Sequence, residues 1–156
     1  MMQNTIGINQ VAANKLVTQL NDLLANYEVY YQNLRAFHWN ITGPGFFELH
    51  LKFEALYTAA NTSIDEIAER ILTLEGQPLH TFTDFLSAST IKEAKGLTTA
   101  GATVQTVIEN LGTLIAIERD LLKNAAEADD EGTVSMISDY IKAQEKEVWM
   151  LRSYVG

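Results

Sequence analysis

The chain has 156 residues, 47% of them hydrophobic, and a formal net charge of −9. That length suits one compact domain able to bury a core unaided. The absence of cysteine excludes disulfides, zinc–thiolate sites and iron–sulfur clusters, and the acidity disfavours nucleic acid and anionic membranes as partners. No secretory pattern stands at the N-terminus, and no apolar run approaches the ~20 residues needed to span a bilayer, so a cytoplasmic protein without membrane contact is expected.

The first periodic segment runs from about Asn9 to Asn40, with residues 1–8 read as a flexible tail. Its apolar stripe, Leu16, Leu20, Leu23, Tyr27, Tyr31 and Leu34, advances in steps of three and four and so predicts an amphipathic helix. One further step of four lands on His38, and Gly43-Pro44-Gly45 then breaks the pattern. A second helix is predicted from about Phe47 to Glu75 on the stripe Leu49, Phe53, Leu56, Ala60, Ile64, Ile67, Ile71 and Leu74, with Gly76 and Pro78 as its stop.

Residues 76–98 form a long connection in which Thr90-Ile-Lys-Glu93 matches a capping box, predicting a short helix there. Two more long helices follow, from about Thr99 to Ala128 and from Thr133 to Val155, parted by Asp129-Asp-Glu-Gly132. The breaks are thus short, long and short. A long middle connection is required when the second and third helices run parallel, because the chain must return along the bundle. The expected fold is therefore all-α: one ferritin-like four-helix domain over residues 1–156, with a short helix in the connection between the second and third long helices.

His38, His50, Asp65 and Glu69 are candidate metal ligands, since imidazole and carboxylate together suit iron, manganese or zinc. On a helical wheel with His50 at 0°, the core stripe of the second helix centres near 275°, whereas Glu54, Asp65 and Glu69 fall near roughly 40°, 60° and 100°. The histidine and the three carboxylates share one face, and it is not the core face. Along the axis, however, the 15 residues from His50 to Asp65 span about 22 Å, and metal–ligand bonds are only about 2 Å long. One chain cannot close a site around one ion with both. Two antiparallel copies of the helix would set His50 of one against Asp65 and Glu69 of the other, giving two identical sites across a two-fold axis.

The stretch His38-Trp-Asn-Ile-Thr-Gly-Pro-Gly-Phe-Phe-Glu-Leu-His50, followed by Phe53-Glu54, Tyr57, Asp65-Glu-Ile-Ala-Glu-Arg70, Gly76, Pro78 and Thr81, resembles the Dps family, the DNA-binding proteins from starved cells or mini-ferritins. Glu145-Lys-Glu-Val-Trp-Met-Leu151 is similar to the family's last helix. The resemblance implies a dodecameric shell that oxidises Fe(II), with hydrogen peroxide preferred over dioxygen, stores ferric mineral and protects against oxidative damage. It implies ferroxidase sites between two-fold-related subunits, with His38 and His50 from one, Asp65 and Glu69 from the other, and Glu54 at a position some members use as a further ligand. Trp39 falls where the family places a tryptophan beside the iron site. Larger ferritins carry Glu-x-x-His inside each bundle, a motif this sequence lacks.

Two departures qualify the resemblance. DNA-binding members use a mobile basic tail, yet residues 1–14 contain no Lys or Arg and the chain ends at Gly156. DNA binding, the alternative function, is therefore not expected. At the acidic pores through which the family admits iron, Glu131 matches one position while Ser135 replaces an expected Asp. Asp130, Asp139 and Glu127 are the acidic residues nearby. His80, Tyr27, Tyr30, Tyr31 and Trp149 are read as structural or packing residues.

Overall fold

A computed structural model describes residues 1–156. It contains five helices: α1 (Gln10–Asn40), α2 (Phe46–Thr73), α3 (Phe82–Ala88), α4 (Ala100–Glu127) and α5 (Glu131–Val155). The sequence predicts the four long helices to within three residues at each end. The connection carries the expected short helix, but at Phe82–Ala88 and not at the capping-box signature of Thr90–Glu93.

The direction of each helix follows from its partners. α1 meets α2 in reverse order, Phe37 against Phe53 and Tyr31 against Tyr57. It also meets α4 in reverse order: Lys15 with Asn124, Tyr27 with Glu118, Asn33 with Asn110. Since α2 and α4 are both antiparallel to α1, they are parallel to each other, and the long connection carries the chain back between them. α5 runs antiparallel to α2, through Lys52–Glu147 and Arg70–Asp130. These pairings define the ferritin-like topology.

Leu16, Leu20, Leu34, Phe53, Ile67, Ile71, Leu111 and Ile137 are among the side chains fully sealed in the core. Burial of one such side chain contributes roughly 1.5–3 kcal/mol, and the residues that seal it are those the periodicity selects. Trp149 departs from its expected packing role and stands 56% exposed.

The predicted helix at 90–93 does not form. Asn26 on α1, almost fully buried, accepts hydrogen bonds on Oδ1 from the Thr90 and Ile91 amides and from the Ser89 and Thr90 hydroxyls. Asn33, two turns on, accepts from the Ala94 amide and donates to the Lys92 carbonyl. Two side chains from another helix thus take the backbone groups that a helix here would have used internally. The short helix lies upstream as α3, where the Thr81 hydroxyl accepts from the Asp84 amide.

α2 also stops differently. The left-handed residue is Glu75 (φ 66°), not Gly76. The Gly76 amide donates to the Ile71 carbonyl and the Glu75 amide to Leu72, a Schellman motif. Gly76 is needed for close approach, because a Cβ there would lie 2.5 Å from Val17. The N-terminal residues, expected to be a flexible tail, are tied to the bundle. The Asn4 amide donates to the Ile8 carbonyl, both residues are buried, and the Thr5 amide donates to Glu75 at 2.7 Å.

Candidate metal centre

His38 closes the last turn of α1, and His50 lies in the second turn of α2 just past the Gly43–Gly45 corner. The corner folds α2 back along α1 and brings the rings face to face, 3.8 Å between centroids and 11° from parallel. Each Nδ1 reaches the other residue's backbone carbonyl: His38 Nδ1 to His50 O at 2.6 Å, His50 Nδ1 to His38 O at 2.7 Å. A carbonyl oxygen only accepts, so both Nδ1 atoms carry the proton. In the neutral rings both Nε2 atoms then present lone pairs, the tautomer a metal requires. Phe46 stacks on the outer face of His50 at 5.1 Å, and Tyr57 meets the His38 ring edge-on at 5.4 Å. The result is a pre-oriented pair of nitrogen donors, half-buried among aromatic rings.

The candidate carboxylates lie on the exposed side of α2. Glu54 is one turn beyond His50, and Asp65 and Glu69 are exposed neighbours one turn apart. The Glu69 carboxyl is held above its ordinary range, first by its hydrogen bond with Asp65 and then by the repulsion of Asp65's charge. Such a pair is short of a cation. The chain itself provides none, and no three of its His, Asp and Glu side chains group tightly enough to enclose a metal ion. The structure brings His38 and His50 together and leaves Asp65 and Glu69 far along the same helix.

Of the acidic residues near the start of α5, Asp130 must be withdrawn as a pore residue. It is 1% exposed, caps α5 by accepting from the Thr133 amide, and pairs with Arg70 at 2.5 Å. Its oxygens are engaged inside the α2–α5 junction, where they cannot line an opening. A Cβ on Gly132 would fall within 3 Å of the same guanidinium, which explains that glycine. Glu131 is exposed in the first turn of α5, and Asp139 is exposed with Lys142 at 3.9 Å.

Two features escaped the sequence reading. Tyr57 received no role, although its spacing of seven from His50 places it on the same helix face. Glu118 is fully buried in the bundle, where burial pushes its carboxyl up to about 8. It accepts from the Gln144 amide at 3.0 Å and from the Tyr27 hydroxyl at 3.4 Å. The signal was its place on the core stripe of α4, at steps of four and three between Leu114 and Leu121.

The ferritin-like domain family matches residues 17–156. A DNA protection during starvation protein from Porphyromonas gingivalis is 42% identical over 148 residues, 95% of this chain and 93% of that protein. The crystal structure of the Dps protein from Vibrio cholerae O1, described as a member of a broad superfamily of ferritin-like diiron-carboxylate proteins, superposes with a TM-score of 0.98 at 46% identity, covering 100% of this chain and 98% of that one. The Bacillus brevis Dps structure follows, with a TM-score of 0.91 at 39% identity over 94% and 98% of the two chains. By sequence, helix order and superposition, this chain belongs to the Dps family of ferritin-like proteins.

Proposed function

We propose that this chain is a ferroxidase and iron-storage subunit, assembled as a dodecameric shell, with its sites shared between two-fold-related copies. The observation that carries the reading is the division of donors along α2. Two tethered histidines expose Nε2 lone pairs near one end, and an unpaired acid couple lies about 22 Å further along. An antiparallel copy supplies what each end lacks. The donor set fits the substrate: imidazole holds Fe(II), and carboxylates favour the harder Fe(III) that oxidation leaves behind.

In this reading His38 and His50 bind Fe(II) through Nε2, and Asp65 and Glu69 of the partner subunit complete the site. Glu54 stands one turn from His50, where it can take a second, weaker ion. Two Fe(II) ions give one electron each to hydrogen peroxide. Its O–O bond breaks, two protons are taken up and two waters leave, so no hydroxyl radical is released. Ferric product collects as mineral inside the shell, with Glu131 and Asp139 as candidates for drawing iron inward. The protein then guards the cell against peroxide and free iron together. It has no helix long and apolar enough to cross a membrane, in keeping with a cytoplasmic shell.

The test is an anaerobic Fe(II) titration followed by peroxide. The expected result is saturable Fe(II) binding and consumption of two Fe(II) per peroxide without a hydroxyl-radical spin adduct. Absence of saturable binding would leave only a helical bundle with a polar contact face.

A further inference from the structure

We propose that Asp130 is a positioning residue for iron capture: it locks the Arg70 guanidinium into the α2–α5 junction and so keeps a competing cation off Asp65 and Glu69. The inference rests on the proposed ferroxidase reading. Arg70 directly follows Glu69 and is the only basic side chain in the second half of α2. Asp65, Glu66 and Glu69 share that stretch, and none of them takes part in an ion pair. A guanidinium free to move beside such acids would bind them, because its fork of donors matches carboxylate oxygens. Iron would then have to displace it.

The guanidinium is instead held by the first turn of α5. Its Nη2 donates to Asp130 Oδ1 at 2.5 Å, and its Nε donates to the Thr133 hydroxyl at 2.9 Å. That hydroxyl donates in turn to the other oxygen of Asp130 at 2.5 Å, so acid and alcohol form one receiver. Gly132 closes the remaining side, where a Cβ would lie 2.7 Å from Nη2. Asp130 and Thr133 are buried, whereas Asp65, Glu66 and Glu69 are exposed. A buried ion pair is screened far less than one at the surface, so Arg70 stays with Asp130.

Arg70 and Asp130 thus neutralise each other, and the three acids outside the junction keep their full charge for a metal ion. With Asp130 neutral, nothing of opposite charge would hold the guanidinium there. Glu66 stands one helical turn before Arg70, at the i,i+4 spacing where helix side chains pair. Asp65 and Glu69 lie beside it on the same exposed stretch. The cation would settle among the carboxylates proposed to ligate iron and cancel part of their attraction for it. Lys52, the other Lys or Arg of α2, is paired with Glu147 near the opposite end of the helix and does not compete.

Anaerobic calorimetry of the assembled protein measures Fe(II) affinity. Asp130→Asn retains a side-chain cap for α5 and should weaken Fe(II) binding about ten-fold at low salt. The loss should shrink in ~0.5 M salt, where exposed charges are screened. Adding Arg70→Gln to Asp130→Asn should return the affinity to the wild-type value, although no ion pair is restored. A purely structural Asp130 would give neither the salt dependence nor the rescue. Gly132→Ala leaves every charge and the cap in place, pushes the guanidinium off Asp130 and should weaken binding as well. It decides the matter should Asp130→Asn fail to fold, which circular dichroism checks. Unchanged affinity in Asp130→Asn or in Gly132→Ala, or a loss that Arg70→Gln does not reverse, would overturn the proposal. If the wild type shows no saturable Fe(II) binding, the ferroxidase reading itself fails, and the role of Asp130 falls with it.

Discussion

His38 and His50 fix one another's rings through backbone atoms: each Nδ1–H is donated to the other residue's carbonyl, at 2.6 and 2.7 Å. The tether does not depend on the opposite side chain, because the carbonyl survives any substitution. His50→Ala should therefore leave the His38 ring oriented and lower Fe(II) affinity by more than the roughly 10–100-fold that loss of a ligand's supporting partner costs, without abolishing it. His38→Ala should behave alike, and the double variant should show no specific site. Anaerobic calorimetry measures all three. A single variant with no residual binding would mean that the two rings act only as a unit.

Glu118 makes stability depend on pH. Its folded value is about 8 against an ordinary 4.5. Between those values the native state keeps a proton that the unfolded chain has released, so stability falls as pH rises across that window. Below about pH 4.5 both states are protonated and the effect vanishes. Glu118→Gln mimics the protonated acid and should raise the thermal midpoint at pH 8–9 while changing it little near pH 5. Thermal scans at the two pH values check this, and an equal shift at both would contradict it.

The helices, the core stripe and the divided ligand face are legible in the sequence because each rests on a period of 3.6 residues, a local property. What periodicity misses is set by contacts between distant residues. The Thr90–Glu93 segment has the local signature of a helix start. Asn26 and Asn33, more than 55 positions away, capture its backbone and hold it open. Asp130 reads as one acid in a run of three, and only the fold shows that Arg70 reaches it. Gly76 suggests a left-handed stop, yet Glu75 adopts that conformation while Gly76 makes room for Val17. His38 and His50 are legible as candidate ligands from their types and spacing, but the reciprocal tether that selects their tautomer is not.

DNA binding is not expected at physiological salt. Duplex affinity depends on Lys and Arg that reach phosphates, and the chain carries −9 overall. Residues 1–14 contain no basic side chain, and the Thr5–Glu75 hydrogen bond and the burial of Ile8 in the core hold part of that segment to the bundle. Lys92 and Lys95 in the connection are both exposed and are the nearest approach to a basic patch there. A mobility-shift assay with plasmid DNA at ~150 mM salt, with chelator to remove bridging ions, should show no shift at micromolar protein. A clear shift would restore DNA compaction as a function.

Sharing of the site between chains is tested most directly by mixing two impaired variants, at Fe(II) concentrations too low to fill the weakened sites. His50→Ala lacks a nitrogen donor and Asp65→Ala lacks an oxygen donor, and both changes lie off the core face of α2. When the two are unfolded, combined in equal amounts and reassembled, half of the dimers are mixed, and each mixed dimer carries one intact site and one doubly damaged site. About a quarter of wild-type Fe(II) oxidation should return. No recovery in shells verified as mixed by native mass spectrometry would show that the ligands come from a single chain and would contradict the shared site.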